Sequence, residues 1–191
     1  MLGLRNRATQ RLMPAPVRST YHHGALRPAL IAAARALLDE GGPNAVGLRE
    51  TARRVGVSPT ATYRHFRDKD SLLAAVAAEG FRAFGAALDA AVRNGQTFSA
   101  MGRAYVEFAL ANPGLFRLMF GAQIRERARF PELTEAAEAA FTRLKAATTT
   151  EGSAVAAWSL VHGLSHLLLD GMLPRESAPA LMDAILTPPA G

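Results

Sequence analysis

Between Leu48 and Leu72 the chain reads LRETARRVGVSPTATYRHFRDKDSL, and its glycine, serine and proline leave the backbone little freedom. Gly56 closes a helix that starts near Leu48, because a glycine past the last turn reaches left-handed angles at low cost. Two residues on, Ser58 is a good N-cap and Pro59 suits the first helical position. A second short helix therefore begins there and is expected to reach about Phe66. Asp68 can cap a third, entered through Lys69. Two short helices around a tight turn, then a third, is the layout of a helix-turn-helix whose second helix enters a DNA major groove.

The rest of the chain points to an all-α fold. Nearly half of its 191 residues are hydrophobic, and Ala and Leu dominate, which favours helices. The β-branched alternation of a strand is almost absent. This length can bury a real core in one large or two small domains. With no cysteine, disulfides, Cys-ligated zinc and thiol nucleophiles are excluded. No apolar run reaches the length of a membrane span. Arg5, Arg7, Arg11 and Arg18 near the start are not followed by an apolar stretch, so they do not form a secretory signal. A cytoplasmic protein without a membrane partner is the expectation.

Charge is unevenly divided. Of the net +6, residues 1–71 carry +7 and residues 72–191 carry −1. A positive excess confined to the segment with the helix-turn-helix is the footprint of a polyanion-binding surface.

The pattern implies a basic, disordered arm over residues 1–20, a DNA-binding domain over 21–70 and a helical regulatory and dimerisation domain over 71–191. Helices are expected at about Leu26–Glu40, stopped by Gly41-Gly42-Pro43, at Leu48–Val55, and from Lys69 to Arg93. Further helices are expected at Phe98–Ala111, Pro131–Ala147, Ser153–Gly171 and Ala178–Leu186. A short apolar piece falls at Leu115–Phe120, and the Arg-rich stretch Gly121–Phe130 reads as an exposed connection.

Within the second helix of the motif, Thr60, Ala61 and Thr62 sit in the first turn and a half, within reach of base edges. Tyr63, Arg64, His65 and Lys69 are better phosphate partners, and Lys69 lies near a helix N-terminus that attracts anions. Arg49 and Ser58 complete the expected DNA-contacting set. Ala52, Gly56, Val57, Phe66 and Leu72 are read as structural.

Leu48-Arg49-Glu50, Ala52, Gly56-Val57-Ser58, Tyr63-Arg64-His65-Phe66, Lys69 and Leu72 together resemble the TetR family of bacterial transcriptional regulators. The resemblance implies backbone contacts for Tyr63, His65 and Lys69, and base contacts for Thr60 and Ala61. Three positions depart from the family's habit. Gly47 stands where a capping Thr or Ser is usual, Thr51 replaces an apolar residue, and Thr60 replaces a frequent glycine.

A second resemblance lies in the carboxy-terminal half. Tyr105–Ala109, Asn112–Gly121 and Trp158–Leu164, with Tyr21–Gly24, are similar to TetR regulators with a WHG-type C-terminal domain. Aromatic residues at helical spacing are ordinarily core. The resemblance implies that some line a small-molecule cavity, and Phe84, Tyr105, Phe108, Phe116, Phe120, Trp158 and His162 form the candidate set. Tyr105, Trp158 and His162 would supply its polar handles.

His162 and His166 stand four residues apart, a spacing that can hold a metal, but Asp170 is too far along a straight helix to complete the site. No metal site, cofactor motif or catalytic constellation is expected. The resulting reading is a homodimeric, ligand-responsive repressor of a palindromic operator. Its double-stranded DNA partner and small-molecule inducer are unspecified, and Leu160, Leu164, Leu167, Leu168, Leu181 and Ile185 are candidate interface residues. A small-molecule carrier with a merely solvated or membrane-surface basic head is the alternative, and a metal-dependent enzyme using His162 and His166 a third.

Overall fold

Leu30, Ile31, Ala34, Leu37 and Leu38 recur at helical spacing, and they form the buried side of the first helix, α1 (Leu26–Ala45). A computed structural model describes residues 25–95, 98–146 and 148–186, and these contain nine α-helices and no strand. The arm expected over 1–20 and the Tyr21–Gly24 segment lie outside the described residues. Gly41 and Gly42 break α1 as expected: both leave helical angles, Gly42 at φ 70°, before one more turn reaches Ala45.

Next come α2 (Leu48–Val55) and α3 (Pro59–Tyr63). Gly56 joins them at φ 77°, and its N–H and that of Val57 bond the carbonyls of Arg53 and Ala52. This is the glycine C-cap read from the sequence. The second helix ends at Tyr63, three residues short of the expected Phe66. The amides of His65 and Phe66 both fold back onto the Thr62 carbonyl, which closes the helix early.

Asp68 and Ser71 cap α4 (Lys69–Gly95) reciprocally. The Ser71 amide bonds the Asp68 carboxylate at 2.8 Å, and the Asp68 amide donates to the Ser71 hydroxyl at 3.2 Å. Then follow α5 (Phe98–Ala111), α6 (Pro113–Phe120), a 3₁₀ turn at Arg127–Arg129, α7 (Pro131–Ala146), α8 (Glu151–Leu169) and α9 (Ala178–Leu186).

The long helix α4 is the spine. It packs on α1 at one end and on α5, α6 and α7 along its length, so one helix carries both the motif and the carboxy-terminal bundle. Gly80 on α4 allows the close approach of α6: an added Cβ would lie 2.8 Å from Leu115 and Met119 side-chain atoms.

Among the described residues two helices, α4 and α8, prove long and apolar enough to cross a membrane by length and composition, contrary to the sequence expectation. They differ in what covers them. The apolar window of α4 is 67% buried within the fold, and that of α8 only 28%. So α4 is a core helix, while α8 presents apolar surface to the outside.

Candidate nucleic-acid interface and adjoining cavity

The face of α3 follows from its period of 3.6 residues. Pro59, Thr60, Tyr63 and Arg64 fall on one side and are exposed, with Tyr63 50% accessible. Ser58 caps the helix, accepting the Ala61 amide at 3.3 Å. Ala61 is half-buried, and Thr62 is fully buried. Thr62 was expected among the base-facing residues. It lies on the opposite side of the helix from Thr60 and Tyr63, inside the head, so its side chain cannot reach a base edge in this arrangement.

Beside α3 lies a shallow basin lined by Asn44, Gly47, Arg49, Tyr63, Arg67 and Lys69. Three of the expected DNA-contacting residues, Arg49, Tyr63 and Lys69, meet here. Arg67 and Asn44 join them and were not anticipated. Arg67 follows the Tyr-Arg-His-Phe run, and charge alone was the signal that could have flagged it. His65 is exposed but lines a different crevice, with Arg27, Phe66 and Arg129.

Ion pairing sorts the cations of the head. Arg53 binds Glu50 at 2.6 Å and Arg54 binds Glu40 at 2.5 Å. The hydrogen bonds from these guanidinium groups hold both carboxyls below their ordinary pKa. Arg49, Arg64 and Lys69 have no such acid among the described residues. Gly47, the N-cap of α2, is extended and makes no side-chain cap; the space a Cβ would enter is open.

In the carboxy-terminal half, α4, α6, α7, α8 and the 3₁₀ turn line an open-mouthed cavity of about 390 Å³. Of the seven candidate ligand residues, Phe84, Phe120 and Trp158 line it. Tyr105 and Phe116 are fully buried core residues, and Phe108 packs on that core. His162 stands behind the cavity wall, its Nδ1 2.8 Å from the Tyr105 hydroxyl. These four therefore do not line it, because their rings are taken up by packing, Tyr105 and Phe108 against Phe84, and Phe116 against Tyr105 and His162. Phe81, Met119, Phe141, Leu144, Arg127 and Glu138 line it instead.

His162 and His166 meet edge to face with ring centroids 4.7 Å apart, and Asp170 is held by Arg117 at 2.6 Å. Among the described residues no group of three His, Asp or Glu side chains is placed to hold a metal.

Comparison with known proteins accounts for both halves. Residues 30–76 match the profile described as bacterial regulatory proteins, tetR family, and residues 98–187 match the tetracyclin repressor-like C-terminal domain. A solved structure of a protein of unknown function from Rhodococcus sp. RHA1 is 33% identical. It covers 88% of this chain and 97% of its own, with a TM-score of 0.68. Two more distant structures share the fold. The multidrug binding protein EbrR, complexed with imidazole, is 23% identical over 86% of this chain and 96% of its own, with a TM-score of 0.63. The fatty acid degradation regulator FadR from Bacillus halodurans is 15% identical over 87% and 95%, with a TM-score of 0.62. From its reading head to its last helix, the chain belongs to the TetR family of bacterial regulatory proteins, as a DNA-binding transcriptional regulator and not an enzyme.

Proposed function

We propose that this regulator is a ligand-responsive repressor that binds a near-palindromic operator as a homodimer in the cytoplasm. Residues 21–70 form its reading head and 71–191 its regulatory and dimerisation half, of the WHG type. The observation that carries the reading is the pairing pattern on the head. Arg53 and Arg54 are engaged by acids, whereas Arg49, Arg64 and Lys69 stay uncommitted around the exposed Thr60 and Tyr63. Cations left without internal partners beside a recognition helix are available to phosphates.

The apolar surface of α8 supports a second copy as its cover. Val155, Leu160 and Leu167 are each 45% exposed, and Ile185 of α9 is 36% exposed. An isologous four-helix contact would bury them. Leu164 and Leu168, expected at the same interface, already face the chain's own core, and Leu181 packs against it.

A route from ligand to head runs through one segment. Arg127 borders the cavity, while Arg129 through Leu133 border the crevice under the head. There Glu132 binds Arg27 at 2.8 Å, and the Arg27 guanidinium sits 5.5 Å over the Phe66 ring. A ligand that moves this segment would change the setting of the two heads, by no more than its differential affinity for the two states.

A nuclease footprint upstream of the protein's own gene tests the reading. Two protected half-sites about 34–36 Å apart are expected. Tyr63→Phe and Lys69→Ala should weaken binding to every site, and Lys69→Ala should flatten the salt slope by about one unit. Salt-sensitive binding without sequence preference would overturn the reading and favour a carrier with a basic head.

A further inference from the structure

We propose that the cavity takes a compact apolar monoanion, a ring or short chain bearing one carboxylate or equivalent group, and that Arg127 holds the charge. This rests on the cavity being the ligand site.

Arg127 differs from the arginines on either side of it. Arg125 is exposed, and Arg129 lies 3.7 Å from Glu126 and over the Phe130 ring. Arg127 is half-buried, lines the cavity, and has its guanidinium carbon 5.9 Å from the centre of the Phe81 ring. No carboxylate pairs with it among the described residues. Burial lowers its pKa, the direction expected of a cation short of solvation. The backbone is bent to put it there. Glu126 is the one described residue other than glycine at positive φ, with φ 48° and ψ 54°, a left-handed conformation that L residues other than Asn and Asp rarely adopt.

A partly desolvated guanidinium without an acid is unfavourable until an anion arrives, and its planar fork matches a carboxylate through two parallel hydrogen bonds. The remaining wall says what the anion is attached to. Phe81, Phe84, Phe120, Phe141 and Trp158 offer ring edges and faces to an apolar body. At about 390 Å³ the cavity lies near the lower end of small-molecule sites, so that body is small.

Glu138 also touches the cavity and would prefer a cation. It is exposed, so water and salt screen its charge, whereas Arg127 acts from a less hydrated position. The guanidinium therefore decides the sign.

Trp158 is the chain's single tryptophan and lines the cavity, so its fluorescence reports occupancy. The test titrates the full-length protein with 4-butylbenzoate, 4-butylbenzyl alcohol and 4-butylbenzylammonium, three ligands of one shape and different charge. The carboxylate should bind at least about tenfold tighter than the alcohol, in keeping with a charge-assisted pair. Arg127→Gln should abolish that preference while keeping the alcohol's affinity, which also shows that the variant is folded; Arg127→Lys should keep part of it. Equal affinities, or a preference for the ammonium that Glu138→Gln removes, would overturn the anion assignment and leave the cavity as the ligand site. No response from any of the three would overturn both.

Discussion

The Tyr105 hydroxyl donates to Nδ1 of His162 at 2.8 Å while accepting the indole N–H of Trp158 at 3.0 Å. The direction follows from the donors present. Trp158 can only donate, and Tyr105 is fully buried, so its one hydrogen must go to the imidazole. His162 therefore has a bare Nδ1, carries its proton on Nε2 and is neutral. The arrangement links α5 to α8 and fixes the indole at the cavity wall.

This predicts a pH limit on stability. Burial, and then the neighbouring His166, lower the pKa of His162 in the fold. Its contribution is complete above the unfolded value of about 6.5 and is lost as pH falls below that toward the folded value, because only the unfolded chain takes up the proton. Melting temperature should decline on acidification from pH 7.5 to 5.5. His162→Gln should flatten that decline, and a slope unchanged in the variant would assign it elsewhere.

Removing the hydroxyl should be costly. Tyr105→Phe leaves the indole N–H and the imidazole Nδ1 without their partner, and Tyr105 is fully buried. A loss of about 1–3 kcal/mol is expected, read by urea denaturation with unchanged m-value.

Gly47→Thr should improve the protein. Gly47 is an N-cap at φ −155°, an extended angle that threonine accepts, and nothing lies within 4 Å of the added Cβ. The hydroxyl can cap α2 for a few tenths of a kcal/mol over glycine. It also enters the basin beside Tyr63 and Lys69, where it offers a donor to a phosphate. Higher operator affinity in a gel-shift titration is the expected outcome, and an unchanged affinity would remove Gly47 from the phosphate-binding surface.

Much of this fold could be read from residues with a single structural solution. Gly56, Ser58 and Pro59 set the turn of the motif, and Gly41-Gly42-Pro43 set the break in α1. The cavity was harder to read. Helical spacing tells that Tyr105, Phe108 and Phe116 are inside, but not whether the space beside them is filled by other rings. Arg127 was hidden for a different reason. Arg125, Arg127 and Arg129 look alike in sequence, and only the left-handed turn at Glu126 singles out the middle one. The inner position of Thr62 was not legible because α3 is only five residues long and holds too few apolar side chains to mark which of its faces turns inward.

Thr60 and Thr62 should therefore respond in opposite ways. Thr60→Gly is expected to change base preference at one operator position, measured by selection from a randomised pool. Thr62→Val should leave that profile unaltered. The Thr62 hydroxyl is buried and meets no hydrogen-bond partner among the described residues, so the isosteric valine should be neutral or stabilising by up to about 1 kcal/mol. A changed selection profile for Thr62→Val would restore it to the reading surface.

The two faces of α8 give the sharpest test of assembly. Leu160 and Leu167 are each 45% exposed, while Leu164 between them is 4% exposed and packed in the chain's own core. Burying a leucine side chain is worth about 1.5–3 kcal/mol, so replacing both exposed leucines by charge removes several kcal/mol from a dimer contact. Leu160→Glu with Leu167→Glu should give a folded monomer by light scattering, with helical content and melting near wild type. Its operator affinity should fall at least about a hundredfold, because one head alone must hold the site. Leu164→Glu should instead prevent folding. If the double variant remained a dimer with full operator affinity, the exposed face of α8 would not be where two copies meet.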